Sequence, residues 1–295
     1  MNGYGNGVTF STPSFPTGIV DGSGNRVVAS FDAVPQPSTI NTHPSIPACA
    51  SIARPNGSGA GITALHNDAS GCIQFARSSN NDSQDPSRNG FNLTYIPFAT
   101  DVLTYVTNSQ TGVPSNLTLA TLTSLYSKNA GTTGCGARRP LLPQPNSGTR
   151  AAWLKLLGLT EATKGDCVKD TVNGVSLEEH DGRLITDGQM IYPYSVGKWV
   201  TQTTQPAITD IHGSTVLRAI NGISPFDPTH PGLRTLYNVV RTGDIGTDPI
   251  RSTFVDQRGN TPPGPNAQVC LHPEVVKAFG FQLAPDCGST LIHTN

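Results

Sequence analysis

The chain has 295 residues, of which 36% are hydrophobic and 13% charged, and its formal net charge is -1. A balance this close to neutral, with no basic block, argues against nucleic acid or an anionic membrane as the main partner. The length exceeds the commonest size of a single domain, so two lobes are expected. No run of about 20 apolar residues occurs, so the sequence predicts no membrane span.

Hydrophobic patterning predicts short strands that alternate with helices, which is typical of an α/β architecture. Residues 1–48 are rich in Gly, Ser, Pro and Thr and are expected to be irregular apart from a strand at 26–31. A glycine-rich segment at 56–61 is expected to precede a helix. The next predicted elements are strands at 72–76 and 93–99, with 102–106 as a continuation of the second, and a helix at 117–126 capped by Thr118.

Six cysteines lie along the chain without the short spacing of a metal site: Cys49, Cys72, Cys135, Cys167, Cys270 and Cys287. An even number, in a chain rich in small polar residues, indicates an oxidising and extracytoplasmic setting. Several connectivities are open, and short loop closure favours Cys49 with Cys72, Cys135 with Cys167, and Cys270 with Cys287. We therefore expect a secreted or cell-surface protein, with its leader not present in this sequence because residues 1–7 lack a charged and an apolar block.

A polar turn at residues 145–153 opens directly onto a predicted helix with Trp153 and Leu157 on its apolar face. Ser147 and Thr149 bring two hydroxyl donors to the first helical turn. Free N–H groups and the positive end of the helix dipole can bind an oxyanion there. The alternative is that Ser147 or Thr149 only caps the helix.

Two further segments carry polar groups suited to a ligand. Residues 56–61 form a second donor-rich helix start with Ser58 as the hydroxyl donor, although a surface turn or a glycosylation site at Asn56 would have the same sequence. Residues 178–182 cluster acids and a histidine that could hydrogen-bond a ligand or support a general base. Such a cluster could equally be a solvated loop.

Signs of catalysis and of metal binding are weak. Ser195 and Lys198 match S-x-x-K, but K-T-G and S-D-N are absent, so a helix surface is preferred to a hydrolase that uses Ser195 or Ser147. The histidines lack the spacing of a metal site. We expect no enzyme activity, no cofactor and no metal.

Seven segments follow one another in an order that fits a known family: 54–61, 75–79, 95–101, 117–126, 146–150, 179–182 and 190–195. In this order they resemble the phosphate-type substrate-binding proteins of ABC importers, especially their secreted Gram-positive relatives. The resemblance covers the chain from about Ile52 to the C-terminus.

The resemblance implies an α/β, two-lobed periplasmic-binding-protein fold of type II, whose ligand is held in the cleft between the lobes. Lobe I is expected to comprise residues 1–98 and 236–295, and lobe II residues 99–235. Two hinge crossings would lie near 97–101 and 233–237. The implied function is capture of phosphate or a similar small oxyanion by a monomer that delivers it to the membrane subunits of an ABC importer.

The resemblance also implies which residues bind the ligand. Ser147, Gly148 and Thr149 match the family's phosphate-gripping turn, and Ser58 matches its earlier hydroxyl donor. The full predicted set is Ser58, Gly59, Ser78, Ser79, Ser147, Gly148, Thr149, Arg150 and Asp181.

Two positions depart from the family's pattern. Pro143 stands where phosphate binders carry an arginine, so Arg150, Arg139 or Arg77 would have to offset the ligand's charge. Ser79 stands where they carry an aspartate that accepts a proton from hydrogen phosphate and repels sulfate. The alternative hypothesis is therefore a secreted or surface interaction protein that keeps the fold without binding a small anion.

Overall fold

The computed structural model describes residues 39–40, 42, 46–110, 112–132, 134–206, 208–259 and 264–294. The strand predicted at 26–31 lies outside these residues. Within them the architecture is mixed α/β, which confirms the predicted fold class. None of the helices found here has the length and apolarity needed to cross a bilayer.

The described residues contain six α-helices: α1 (Ser58–Asn67), α2 (Leu119–Tyr126), α3 (Gly148–Leu156), α4 (Val196–Thr204), α5 (Ile250–Phe254) and α6 (Pro273–Ala278). Thr118 caps α2 by accepting a hydrogen bond from the Thr121 N–H, as predicted. The helix predicted after residues 56–61 begins earlier, at Ser58. Gly57 makes this possible because its φ of 110° turns the chain sharply into the helix, in a region that favours glycine.

The same residues contain thirteen β-strands: β1 (Thr39–Ile40), β2 (Ile52–Ala53), β3 (Phe75–Ser78), β4 (Leu93–Asn108), β5 (Asn116–Leu117), β6 (Arg139–Pro140), β7 (Thr171–Val172), β8 (Val175–Ser176), β9 (Met190–Ser195), β10 (Thr215–Leu217), β11 (Ala219–Ile220), β12 (Leu233–Arg241) and β13 (Gln282–Leu283). The strand predicted at 93–99 does continue through 102–106, as β4, which has 16 residues.

The chain divides into two compact units. The first contains the described residues up to Thr100 together with Thr235–Ala278 and Gln282–Asn295, and the second contains Asp101–Arg234 and Phe279–Phe281. The chain therefore passes between the units within β4 and again within β12. The return of Phe279–Phe281 to the second unit has no counterpart in the predicted boundaries.

The first unit is built on a sheet in which β12 lies between β3 and β4. β12 runs antiparallel to β3 with Tyr237 opposite Ser78, and β13 runs antiparallel to the first half of β4. Helix α1 packs on β3 and buries Ile62 and Leu65 in the core of this unit. This packing fixes Ser58, at the start of α1, beside the end of β3.

The second unit is organised around β9. All six residues of β9 are buried, as expected for a strand covered on both faces. It runs antiparallel to the second half of β4, with Ser195 opposite Leu103, and parallel to β6. Trp153 of α3 packs edge-on against Tyr126 of α2, with ring centroids 5.7 Å apart. The buried face of α3 thus fixes the position of its N-terminus.

Three disulfides join Cys49 to Cys72, Cys135 to Cys167, and Cys270 to Cys287. These are the neighbour pairs that short loop closure predicts. The first and third lie in the first unit and the second in the second unit. Each closes a short loop and restricts the unfolded chain.

Gly232 provides a test of how closely the segment before β12 approaches β4. A Cβ at Gly232 would lie 1.8 Å from the Leu103 carbonyl oxygen, whereas one at Gly246 would meet nothing within 4 Å. Because the clash involves backbone, we expect Gly232→Ala to lower the free energy of unfolding by about 2 kcal/mol or more. Urea denaturation measures this change. Gly246→Ala is the control, and equal stability of the two variants would contradict the close approach.

Candidate functional site

The predicted oxyanion turn forms the N-terminus of α3. Ser147 is the N-cap residue, and its Oγ accepts a hydrogen bond from the Arg150 N–H at 2.9 Å. The preceding Asn146 has a φ of 66°, a left-handed conformation that asparagine tolerates better than most residues. Ser147 and Thr149 are both buried. Capping is therefore real, but it uses only the oxygen of the Ser147 hydroxyl and leaves its hydrogen for another partner.

That partner is the carboxylate of Glu179. The Ser147 hydroxyl donates to Glu179 Oε1, and the Thr149 N–H donates to the same oxygen at 3.0 Å. The Glu179 N–H in turn donates to Gln144 Oε1 at 3.1 Å, which holds this segment beside the turn. An oxygen of the protein's own carboxylate thus occupies the point where the donors of the turn converge.

The environment of Glu179 explains why it lies there. Its side chain is only 2% exposed, and an ionised carboxylate removed from water needs hydrogen-bond donors or positive charge. The first turn of α3 supplies N–H donors and the positive end of the helix dipole. The cluster at 178–182 is consequently not a solvated loop at Glu179 and His180, which are both buried.

His180 extends the cluster next to Glu179. Its Nε2 lies 3.6 Å from Glu179 Oε2, and its backbone has a φ of 61°. The His180 carbonyl accepts hydrogen bonds from the Tyr194 hydroxyl and from Gln202 Nε2. Burial lowers the pKa of His180 well below its ordinary value of 6.5, although the neighbouring Glu179 opposes this shift. His180 is therefore neutral near pH 7.

A buried ion pair lies on the other side of Thr149. Arg234 donates to Asp101 Oδ2 through Nε at 3.1 Å and through Nη2 at 2.8 Å, and the two side chains are 10% and 1% exposed. Arg234 Nη2 also lies 3.5 Å from Thr149 Oγ1. Thr149 therefore contacts a carboxylate through its backbone and a guanidinium through its side chain.

Asp101 is itself held at the N-terminus of α4. Its Oδ1 accepts a hydrogen bond from the Gly197 N–H at 3.1 Å. Ser195 is the N-cap of this helix and accepts from the Lys198 N–H at 3.1 Å. The S-x-x-K match is thus a helix cap, and Ser195 is buried rather than on the helix surface where it was expected.

Two other predicted ligand residues contact different groups. The Arg150 guanidinium donates to Glu161, Asp170 and the Pro143 carbonyl. Asp181 pairs with Arg183 at 2.6 Å. Their contact with a ligand stays a prediction.

In the first unit, two of the remaining predicted ligand residues, Ser58 and Ser79, contact each other. The Ser79 N–H donates to Ser58 Oγ at 3.2 Å, and the two hydroxyl oxygens are 3.4 Å apart. The Ser78 hydroxyl instead donates to the Asn80 carbonyl at 2.7 Å. The Gly59 carbonyl accepts from Thr63 Oγ1 at 3.0 Å. A ligand-binding role for these residues stays a prediction as well.

The sequence draws attention to some residues of this site and misses others. Glu179 belongs to the acidic cluster at 178–182, but nothing local connects it with the turn. Asp101 and Arg234 are 133 positions apart and have no motif in common, so only the fold reveals their pairing.

A family model described as a PBP superfamily domain matches residues 37–254. The chain belongs to this superfamily. The match confirms the resemblance of the ordered segments at the level of the superfamily and supports a solute-binding role. No curated protein matches the chain.

Solved structures similar to this PBP superfamily chain include three bacterial proteins. A putative phosphate ABC transporter substrate-binding protein with bound phosphate from Clostridium perfringens has 17% identity, covering 66% of this chain and 76% of that one, with a TM-score of 0.48. An ABC-type phosphate transport receptor from Vibrio cholerae has 20% identity, coverages of 65% and 75%, and a TM-score of 0.44. PstS from Borrelia burgdorferi has 16% identity, coverages of 76% and 83%, and a TM-score of 0.37.

His230 lies in the loop before β12, and its protonation is expected to affect the stability of the second unit. It is buried, and its Nδ1 accepts a hydrogen bond from the Gly232 N–H at 3.1 Å. Its Nε2 has no hydrogen-bond partner among the described residues. Burial lowers the pKa of His230 from 6.5 to about 4, with Asp227 opposing the shift.

We expect this histidine to make the protein acid-sensitive. In the unfolded chain His230 binds a proton as the pH falls through 6.5, whereas in the folded protein it does so only near 4. Between these values the unfolded state binds more protons, so the free energy of unfolding falls with the pH, by roughly 3 kcal/mol from this residue. His230→Asn keeps an acceptor for the Gly232 N–H and should reduce this loss in urea denaturation at pH 7, 5.5 and 4. An unchanged pH dependence would refute the assignment.

Proposed function

We propose that the protein is an extracytoplasmic solute-binding protein that captures phosphate or a similar small oxyanion at the turn formed by Ser147, Gly148 and Thr149. Delivery of the ligand to the membrane subunits of an ABC importer is part of this proposal. No covalent chemistry is required, because binding and release of the anion suffice.

The observation that carries the proposal is the convergence of the Ser147 hydroxyl and the Thr149 N–H on one carboxylate oxygen at the start of α3. A carboxylate is an oxyanion, so the turn already binds the kind of oxygen that the proposed ligand offers. Membership of a superfamily of substrate-binding proteins and the three disulfides support a solute-binding role outside the cytoplasm.

The same observation sets a condition on binding. Glu179 takes the donors that a ligand would need, so an incoming anion must displace its carboxylate. An oxyanion with two negative charges can do so because it offers more charge and more acceptor oxygens than one carboxylate. Two anions of like charge would not share the turn.

A second candidate function follows from the occupied turn. If Glu179 is a permanent partner of Ser147 and Thr149, the protein keeps the fold of a solute-binding protein but acts as a secreted or surface interaction protein. The buried position of Glu179 favours this reading, since a charge held by several donors is costly to move.

Titration calorimetry with phosphate, sulfate and arsenate tests the leading proposal. We expect phosphate or arsenate to give a saturable heat with a stoichiometry of about one, since one turn supplies one set of donors. The full chain with its disulfides intact is used. Absence of heat at millimolar concentrations from all three anions, in both the native protein and the variant below, would reject the proposal and support the interaction protein.

The variant Glu179→Gln separates the two functions. A neutral amide still accepts from Ser147 and Thr149, but it forms weaker hydrogen bonds and does not repel an anion. We expect phosphate affinity to rise about tenfold or more, measured by the same calorimetry. Glu178→Gln is the matched control, because it changes the net charge equally at the adjacent position. A rise of the same size in both variants would show a general charge effect instead of displacement from the turn.

A further inference from the structure

Arg234 has hydrogen-bonding capacity that the described contacts do not use. A guanidinium carries five N–H donors in a fixed plane. The edge formed by Nε and Nη2 faces Asp101, and Nη2 also approaches Thr149 Oγ1. Nη1 is buried and has no hydrogen-bond partner among the described residues. Its two donors are therefore left over on a side chain that is only 10% exposed.

Leaving these donors unsatisfied is unfavourable. A buried N–H group without an acceptor loses its hydration and gains nothing in return, and the penalty is larger for a charged group. Planarity makes Nη1 point away from the edge that binds Asp101, so this carboxylate cannot satisfy it. An additional acceptor with negative charge would complete the coordination of Arg234.

The position of Arg234 indicates where that acceptor would lie. Its guanidinium is in contact with Thr149, whose N–H is one of the converging donors of the turn. We propose that Arg234 supplies the positive charge of the oxyanion-binding site by donating from Nη1 to a phosphate-like ligand bound at the turn of Ser147, Gly148 and Thr149. This inference rests on the proposed function and names a binding residue that the sequence does not reveal.

Other arginines of the second unit are less suited to this role. The Arg150 guanidinium is engaged by two carboxylates and by the Pro143 carbonyl. Arg139 is about half exposed and pairs with Asp187 at 2.9 Å. Among these three arginines, Arg234 alone has a side-chain nitrogen that is buried and has no hydrogen-bond partner in the described part of the chain.

Asp101 prepares Arg234 for binding. Its carboxylate is fixed at Oδ1 by the Gly197 N–H at the start of α4, and it fixes the guanidinium through Oδ2. Arg234 is therefore held in one orientation before a ligand arrives, which lowers the entropic cost of binding.

Calorimetric titration of inorganic phosphate into Arg234 variants tests the inference. Arg234→Lys keeps a charge that can pair with Asp101 but has no second nitrogen to reach the ligand, and we expect affinity to fall about tenfold or more. The double variant Arg234→Gln with Asp101→Asn removes both buried charges together and retains an acceptor for the Gly197 N–H, so it should also bind more weakly. Arg218→Lys is the control, because Arg218 donates to Thr107 in the same unit and should leave phosphate affinity unchanged.

The outcomes separate this inference from the proposed function. If the native protein or Glu179→Gln binds phosphate and both Arg234 variants bind it equally well, the role of Arg234 is refuted while the proposed function stands. If neither the native protein nor Glu179→Gln binds, both fail.

A measurement on the native protein tests the inference even where an Arg234 variant does not fold. NMR spectra of protein labelled with 15N-arginine should show the Nη1 protons of Arg234 shifting and becoming protected as phosphate is added. No change in these signals at saturating phosphate would equally refute the inference.

Discussion

A buried carboxylate at the start of a helix governs the arrangement of the second unit. Glu179 is withdrawn from water, where an unpaired ionised carboxylate would cost several kcal/mol. The donors that compensate for this are the Ser147 hydroxyl and the Thr149 N–H, and both are fixed by the first turn of α3. Because Trp153 anchors α3 in the core, these donors have one position, and the segment carrying Glu179 must lie beside them.

In the second unit, a buried carboxylate lies at the N-terminus of a helix in two places. Asp101 lies at the N-terminus of α4 as Glu179 lies at that of α3, and each helix begins at a capping serine. Asp101 also has a guanidinium partner in Arg234, so its charge is balanced by an opposite charge. Glu179 instead accepts from the Ser147 hydroxyl and from the Thr149 N–H at the start of α3. Displacing Asp101 would break its ion pair with Arg234.

Local features of the fold could be predicted from sequence because they depend on neighbouring residues. Thr118 as a cap, the start of α3 near Ser147 and the pairing of nearby cysteines are of this kind. The start of α1 was predicted too late, because a glycine with a left-handed φ permits an abrupt helix start that periodicity does not register. The contacts of Thr149 with Glu179 and Arg234 could not be predicted, because these residues lie 30 and 85 positions away from Thr149 along the chain.

Donor availability determines which occupant the turn can hold. While Glu179 stays in place, its carboxylate accepts from both the Ser147 hydroxyl and the Thr149 N–H, so a second anion finds neither donor available. In the proposed function, a ligand that displaces Glu179 gains that N–H, the Ser147 hydroxyl and Nη1 of Arg234. Binding would then exchange one oxyanion for another, and the hydrogen bonds of Glu179 would set the minimum affinity a ligand must have.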